Sequence, residues 1–189
     1  MKLFKKLLGE NIYLSPRNID EEVIEQFTEW LNEFEITDCI GVSSQVITLE
    51  NERKYLENSK DNEVILFIVR QEDDKLIGSI GLHSIDNTNK SATLGIFGGE
   101  ESGRNKGYGT EAVGLILDYG FNYLNLNNIK LDVMEFNDRA IACYKKCGFK
   151  EYGRRRKCYF LNGKYYDKIE MDILAEEFKE EYIRNKNIK

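Results

Sequence analysis

Apolar positions along this chain recur with two periods, and the periods alternate in blocks. Residues 12–15 (Ile-Tyr-Leu-Ser) read as a first strand, stopped by Pro16. Val23, Phe27, Trp30, Leu31 and Phe34 then fall at helical spacing behind Asn18 or Asp20 as N-cap. Glu21, Glu22, Glu25 and Glu29 form that helix's outer face, a solvated one or a patch that draws a cationic substrate. Residues 37–46 carry no periodicity and read as a loop, after which Thr48 opens a second helix to about residue 58. An apolar strand follows over 63–70 and turns at Glu72-Asp73-Asp74. It returns as a long strand over 75–85, a hairpin by the shortness of the link. Another turn at Asn87-Thr88-Asn89 leads to a strand over 91–97. Gly95, Gly98 and Gly99 mark its end as a bulge or a place of close backbone approach.

In the second half, Ala112, Val113, Ile116, Leu117, Tyr119 and Tyr123 make the apolar stripe of a helix starting at Gly107 and ending in an Asn-rich turn over 125–128. Ile129, Leu131 and Val133 alternate on the next strand. Asn137 can cap the helix after it, and Gly148 with Phe149 supplies a left-handed C-cap and its hydrophobic contact. Strands over 150–160 and 164–174 flank Asn162-Gly163, a strong hairpin signal. The tail from Ala175 reads as a charged helix with Phe178 and Tyr182 at i, i+4. Residues 1–8 read as a short surface helix, since a basic start without a long apolar core or cleavage site is no signal peptide.

Composition narrows the function classes. At 189 residues the chain is long enough for one domain over 1–189, with 1–10 as an N-terminal extension and 175–189 as a C-terminal tail. A net charge of -6 argues against general nucleic-acid binding, and no apolar run has the length of a membrane span. The four cysteines (Cys39, Cys143, Cys147, Cys158) show no Cys-x-x-Cys spacing. Cys143 and Cys147, with one distant histidine, make a poor zinc site, so no metal is expected and a cytoplasmic setting is.

The chemistry concentrates in Gly103-Arg104-Asn105-Lys106-Gly107-Tyr108-Gly109-Thr110-Glu111-Ala112, between a strand and a helix. A helix N-terminus carries unpaired N–H groups and partial positive charge, so this stretch suits a pyrophosphate. No Gly-Lys-Ser or Gly-Lys-Thr occurs, which removes the P-loop reading. Gly107-x-Gly109-x-x-Ala112 matches the dinucleotide fingerprint by letters, but that fingerprint belongs directly after a strand opening a βαβ unit, and about ten residues intervene here.

Arg104-x-x-Gly107-x-Gly109-Thr110, together with Asn137-x-x-Ala140-x-x-x-Tyr144-x-x-x-Gly148-Phe149, resembles the GNAT superfamily of acetyl-CoA-dependent N-acetyltransferases over residues 11–174. Gly163-x-x-x-Asp167 is similar to the ribosomal-protein alanine acetyltransferase branch, and within the superfamily the chain resembles ribosomal-protein alanine and spermidine acetyltransferases. The resemblance implies an α/β fold: a mixed, mostly antiparallel sheet of six or seven strands, helices on both faces, and a cofactor cleft where the fourth and fifth strands splay. It implies that coenzyme A is held by Gly95, Ile96, Phe97, Arg104, Asn105, Lys106, Gly107, Tyr108, Gly109, Thr110, Asn137, Ala140 and Tyr144. It also places the first two helices and their loop as one wall of the acceptor pocket.

Acetyl transfer to nitrogen needs a neutral amine, a polarised thioester carbonyl and a proton for the leaving thiolate. An alkyl amine of pKa ~10.4 is almost wholly protonated at neutral pH, so a base or a water relay must act. By resemblance Tyr144 is the acid; on its own stripe it also reads as a core aromatic. Asn137 is a helix cap, a cofactor ligand, or both. The base is open between His83, Glu135 and a water relay. Arg154-Arg155-Arg156-Lys157 reads as solvated charge or an RNA contact, and Tyr159, Tyr165 and Tyr166 as an acceptor wall or strand formers. The expected activity is acetyl transfer from acetyl-CoA to a primary amine of a protein N-terminus, a polyamine or a small molecule. A catalytically silent acyl-CoA-binding module is the competing class. The expected partner is a small-molecule or peptide amine, with a second copy of the chain left open as another; neither nucleic acid nor membrane is expected.

Overall fold

Side-chain alternation along the strands sorts the core onto the two faces of one sheet. On β2 (Ile12–Pro16), Ile12 and Leu14 belong to one apolar cluster and Tyr13 to the other. On β3 (Val64–Arg70), Leu66 and Ile68 side with Ile12, while Phe67 and Val69 side with Tyr13, as a period of two requires. The computed structural model describes residues 2–58, 60–99, 106–180 and 182–183. Among these, β1 (Leu7–Leu8), β4 (Lys75–Asp86), β5 (Ser91–Gly98), β6 (Asn128–Met134), β7 (Lys150–Leu161) and β8 (Lys164–Leu174) complete an eight-stranded sheet ordered β1-β2-β3-β4-β5-β6-β8-β7. Every neighbouring pair is antiparallel except β5 and β6.

On one face, α1 (Glu21–Trp30) and α3 (Leu49–Glu57) cover Tyr13, Phe67, Val69 and Leu76 with Val23, Ile24, Phe27, Trp30 and Leu56. Asp20 caps α1 by accepting from the Val23 N–H, and Thr48 caps α3 by accepting from Asn51. On the other face, α4 (Tyr108–Asp118) buries Ala112, Val113, Leu115, Ile116 and Leu117 completely, and α5 (Asp138–Lys146) packs beside it. At the β7–β8 turn Asn162 and Gly163 both have positive φ (49° and 78°), the backbone of a tight hairpin turn that Asn-Gly favours.

Four expectations need correction. Residues 1–8 do not provide a surface helix: Leu7 and Leu8 pair with Leu14 and Tyr13, which raises the strand count to eight. Phe34 does not continue the stripe of α1. That helix stops at Trp30, and Phe34, an exposed side chain, opens α2 (Phe34–Ile40), which ends in Gly41 at φ 80°. Residues 37–40 are therefore helix, hidden in sequence because only Ile36 and Ile40 of that turn join the apolar cluster. The charged tail is a single 3-10 turn (Ala175–Glu177) followed by chain without regular structure, not a helix, over the described residues.

That tail acts as a strap. Phe178 packs on Phe121 (5.5 Å between centroids) and stacks on Tyr182, whose ring lies on Gly114 so closely that any side chain there would collide. The Tyr182 and Ile183 N–H groups donate to Oδ2 of buried Asp118 at 2.8 and 2.7 Å.

Glu111, in the first turn of α4, accepts from the backbone N–H groups of Glu10, Asn11 (2.9 Å) and Ile12 (3.4 Å), and from Asn11 Nδ2 (3.1 Å). One carboxylate thus pins the β1–β2 turn to the start of α4. Glu111→Ala should lower unfolding free energy by about 2 kcal/mol, since charge-assisted bonds to several donors are lost together. Chemical denaturation checks this, and a loss below about 0.5 kcal/mol would mean the turn holds itself.

Candidate active site

The cleft begins where the parallel pair stops. β5 and β6 share only three rungs, Ser91–Asn128, Ala92–Ile129 and Thr93–Lys130, after which both strands run on apart, β5 to Gly98 and β6 to Met134. These are the fourth and fifth strands of the sequence reading, β1 being additional. The cavity that opens between them and the flanking helices measures about 830 Å³.

Its far end is the start of α4. Gly107 sits at φ 84°, a conformation that favours glycine, and no side chain caps the helix, so the first N–H groups of α4 face the opening. Among the described residues a Cβ at position 107 would meet nothing within 4 Å, and one at 109 only Cys143 Sγ at 3.9 Å, so they leave room for a ligand against this backbone. Gly107, Tyr108, Gly109 and Thr110 line the cleft; Lys106 is exposed beside them. Arg104 and Asn105 lie outside the described residues.

One wall is β5, through Gly95, Ile96 and Phe97; the opposite wall is α5, through Asn137, Ala140, Cys143 and Tyr144. Asn137 Oδ1 caps α5 by accepting from the Ala140 N–H (3.2 Å), which leaves its Nδ2 without a partner among the described residues. Tyr144, buried, packs edge-on against Phe149 (5.8 Å), and its hydroxyl has no partner among the described residues. Burial, aided by the negative potential of Cys143 and Asp132, pushes its phenol well above the ordinary range. Cys143 and Cys147 fasten α5 to α4: Thr110 Oγ1 lies 3.4 Å from Cys143 Sγ, and the Cys147 thiol donates to the Thr110 carbonyl. Contact with the Cys147 thiol holds the Cys143 thiol below its ordinary range, and the same contact with burial raises Cys147.

His83 projects from β4 into the cleft. Gly81 and Gly95 are direct cross-strand partners, and the imidazole lies over the bare backbone of both: Nε2 stands 3.2 and 3.1 Å from where their Cβ atoms would be. Nδ1 meets Glu63 Oε2 at 3.4 Å. Glu135 is placed elsewhere. Its oxygens take the Asp167 N–H (2.8 Å) and the Arg154 guanidinium (3.3 Å), and it does not line the cavity. Arg154 also pairs with Glu151 and Asp167, so this member of the basic run serves the sheet.

Phe136 gathers Tyr166 (4.9 Å) and Tyr159 (6.3 Å), and the Tyr159 hydroxyl bonds Ser43 (2.7 Å) after α2; Tyr165 turns outward onto Phe160. The remaining wall, from the link between β2 and α1 and from α3, brings Arg17, Glu52 and Tyr55 to the cavity, with Glu63 behind His83, none of which the sequence singled out. Glu52 carried one legible sign: it stands four residues before buried Leu56, on the inner face of α3. Among the described residues no three His, Cys, Asp or Glu side chains converge as a metal site, and no helix is long and apolar enough to cross a membrane.

A family model described as an acetyltransferase (GNAT) domain matches residues 14–150. The spermidine N(1)-acetyltransferase of Vibrio cholerae is 34% identical over 129 residues, covering 68% of this chain and 74% of that protein. The probable N-acetyltransferase YjcK of Bacillus subtilis is 33% identical over 176 residues, 89% of this chain and 96% of its own. Among solved structures, the Vibrio cholerae spermidine N-acetyltransferase in complex with CoA and spermine aligns with a TM-score of 0.76 at 24% identity, over 88% of this chain and 97% of that one. The microcin C7 self immunity acetyltransferase MccE, in complex with acetyl-CoA and AMP, aligns at 0.72 and 22% identity, over 88% and 93%. At these identities the structural likeness speaks to the fold.

Proposed function

The chain belongs to the acetyltransferase (GNAT) family of N-acetyltransferases, and from that premise we propose that it moves the acetyl group of acetyl-CoA to a primary amine by direct attack. The observation that carries this reading is the splay of β5 from β6, lined by backbone on one side and by Asn137 and Tyr144 on the other, and ending at the uncapped start of α4. The open space around Gly107 and Gly109 fits a diphosphate, and β5 offers unpaired backbone to an extended arm at Gly95, Ile96 and Phe97. Lys106, Gly107, Tyr108, Gly109 and Thr110, with Arg104 and Asn105 from the adjoining chain, would hold the diphosphate; Asn137, Ala140 and Tyr144 would flank the thiol end. Bound there, acetyl-CoA supplies an activated acyl group.

The protein's own groups handle the protons. His83, over Gly95 and oriented by Glu63, takes the proton that keeps an alkyl amine from attacking. Tyr144 Oη, held protonated by burial, presents a proton to a departing thiolate. Glu135, committed to Arg154 and the Asp167 N–H, is the weaker candidate for the base. The acceptor is a small amine, a polyamine or a peptide N-terminus.

Thiol release from acetyl-CoA, measured across a panel of amines, tests the reading. Turnover with at least one amine is expected, whereas tight acetyl-CoA binding with no thiol released by any of them would make the chain a silent acyl-CoA-binding module. His83→Gln should lower kcat/KM about 100-fold near neutral pH and recover part of it at alkaline pH, where the amine deprotonates itself. A uniform loss at every pH would assign His83 to structure instead.

A further inference from the structure

Two thiols sit where the end of α5 meets the first turn of α4, and one of them opens onto the cleft. Cys143 is half-buried and lines the cavity, whereas Cys147, one turn on, is buried behind it. Cys143 Sγ lies 3.4 Å from Thr110 Oγ1 and 3.9 Å from where a Cβ on Gly109 would be. The Cys147 thiol donates to the Thr110 carbonyl at 3.6 Å. Both sulfurs therefore bear on the turn of α4 whose first N–H groups face the opening.

Packing alone would explain two small apolar fillers between helices, but these two are poised for more than packing. They are in contact, and that contact, then Thr110, then Lys146 and Arg139, lowers Cys143 to about 7 against the opposing effect of burial. Near neutral pH much of Cys143 is thiolate, the form that attacks an oxidant. In a regular helix the i, i+4 spacing sets the two Cβ atoms about 5–6 Å apart, wider than the roughly 4 Å of a relaxed disulfide. The end of α5 is where that gap can close. Cys147 is the C-cap, its N–H is already shared between the Cys143 and Tyr144 carbonyls at 3.1 and 3.0 Å, and Gly148 follows at φ 95°. A disulfide drawn across this turn carries strain, so thiols reduce it readily.

We propose that Cys143 and Cys147 are a reversible redox pair, whose disulfide takes both sulfurs from Thr110 and weakens the coenzyme A seat at the start of α4. This rests on the acetyl-CoA reading of the cleft for its ligand; the disulfide itself does not. The oxidant is a hydroperoxide. The Cys143 thiolate attacks its terminal oxygen, the O–O bond breaks, and the departing oxygen takes up a proton to leave as water or an alcohol. Cys143 is then a sulfenic acid. The Cys147 sulfur attacks the Cys143 sulfur, the S–S bond forms, the S–O bond breaks, and hydroxide leaves with the Cys147 proton as water. Two thiols are oxidised and one peroxide is reduced. The proton that Cys147 gives the Thr110 carbonyl is lost in the exchange.

The wild-type protein is treated with hydrogen peroxide, blocked with iodoacetamide and digested with trypsin without reduction. Trypsin cuts after Arg139, Lys145, Lys146 and Lys150, so the two cysteines fall in separate peptides, 140–145 and 147–150. These should emerge joined, and come apart after dithiothreitol. Titration calorimetry with acetyl-CoA should show the oxidised protein binding at least about 10-fold more weakly than the reduced one, with dithiothreitol restoring the affinity. Saturation with acetyl-CoA beforehand should slow the joining, because the ligand covers Cys143. The reduced Cys147→Ser protein, whose hydroxyl still offers Thr110 a donor, should bind acetyl-CoA. With peroxide it should give no joined peptides and carry Cys143 on to sulfinic acid, which dithiothreitol does not reverse.

Peptides that stay separate in the peroxide-treated wild-type protein overturn the proposal. So does a joined form that binds acetyl-CoA as tightly as the reduced one, or a Cys147→Ser variant that loses and regains affinity as the wild type does. Should the peptides join in a protein that binds no acetyl-CoA even when reduced, the redox pair stands and the acetyl-CoA reading fails.

Discussion

Replacing Tyr144 by phenylalanine lowers kcat for acetyl transfer by about 100-fold while acetyl-CoA affinity and the thermal midpoint stay close to wild type. The ring does the packing, against Phe149 and within the core that α5 shares with α4, and phenylalanine keeps it. The hydroxyl does none of it, having no partner among the described residues, so its removal leaves no protein donor or acceptor stranded. What disappears is a proton source beside the cleft. Because burial raises the phenol, Tyr144 stays protonated throughout the working range, and the wild-type rate should show no alkaline decline from this group below about pH 10. Steady-state kinetics from about pH 6 to pH 10 read both statements. A variant retaining full kcat at every pH would hand the proton to water and return Tyr144 to the core.

Asp118→Ala should lower unfolding free energy by about 3 kcal/mol and free the strap to proteolysis. Asp118 is buried at the end of α4, where an acid faces the negative pole of the helix dipole, so its presence there needs a compensating set of donors. Asn122 Nδ2 (2.9 Å) and the N–H groups of Tyr182 and Ile183 supply that set. Charge-assisted bonds of this kind contribute about 1.5–3 kcal/mol each, and part of the loss is recovered when the freed N–H groups reach water. With them go the stacking of Phe178 on Tyr182 and the cover over Gly114. Denaturant midpoints combined with cleavage near residue 178 check the effect, and a change under about 1 kcal/mol would show that the aromatic contacts hold the strap alone.

What the sequence made legible had a local cause. The Asn162-Gly163 turn, the Asn137 cap, the left-handed Gly148 and the glycines at the start of α4 each announce a backbone state by their own side chains, and each is found there. β1, α2 and the strap were missed because their reasons lie far along the chain: Leu7 needs Leu14, Ile36 needs the cluster on β3, and Tyr182 needs Asp118. The site divides in the same way. Tyr144 and the positions at the start of α4 were singled out by two motifs that resemble a family's, whereas the resting place of His83 depends on Gly81 and Gly95 falling opposite each other across two strands. Glu52 was not singled out in the sequence, and only packing turns it inward.

The single parallel rung set between β5 and β6 separates two groups of site residues along the chain. The chain crosses over once there, through α4, so the splay and the helix terminus come from one topological event encoded after residue 90. Arg17, Glu52 and Tyr55 come from chain written before β3. Point changes can therefore retune the second group without disturbing the first.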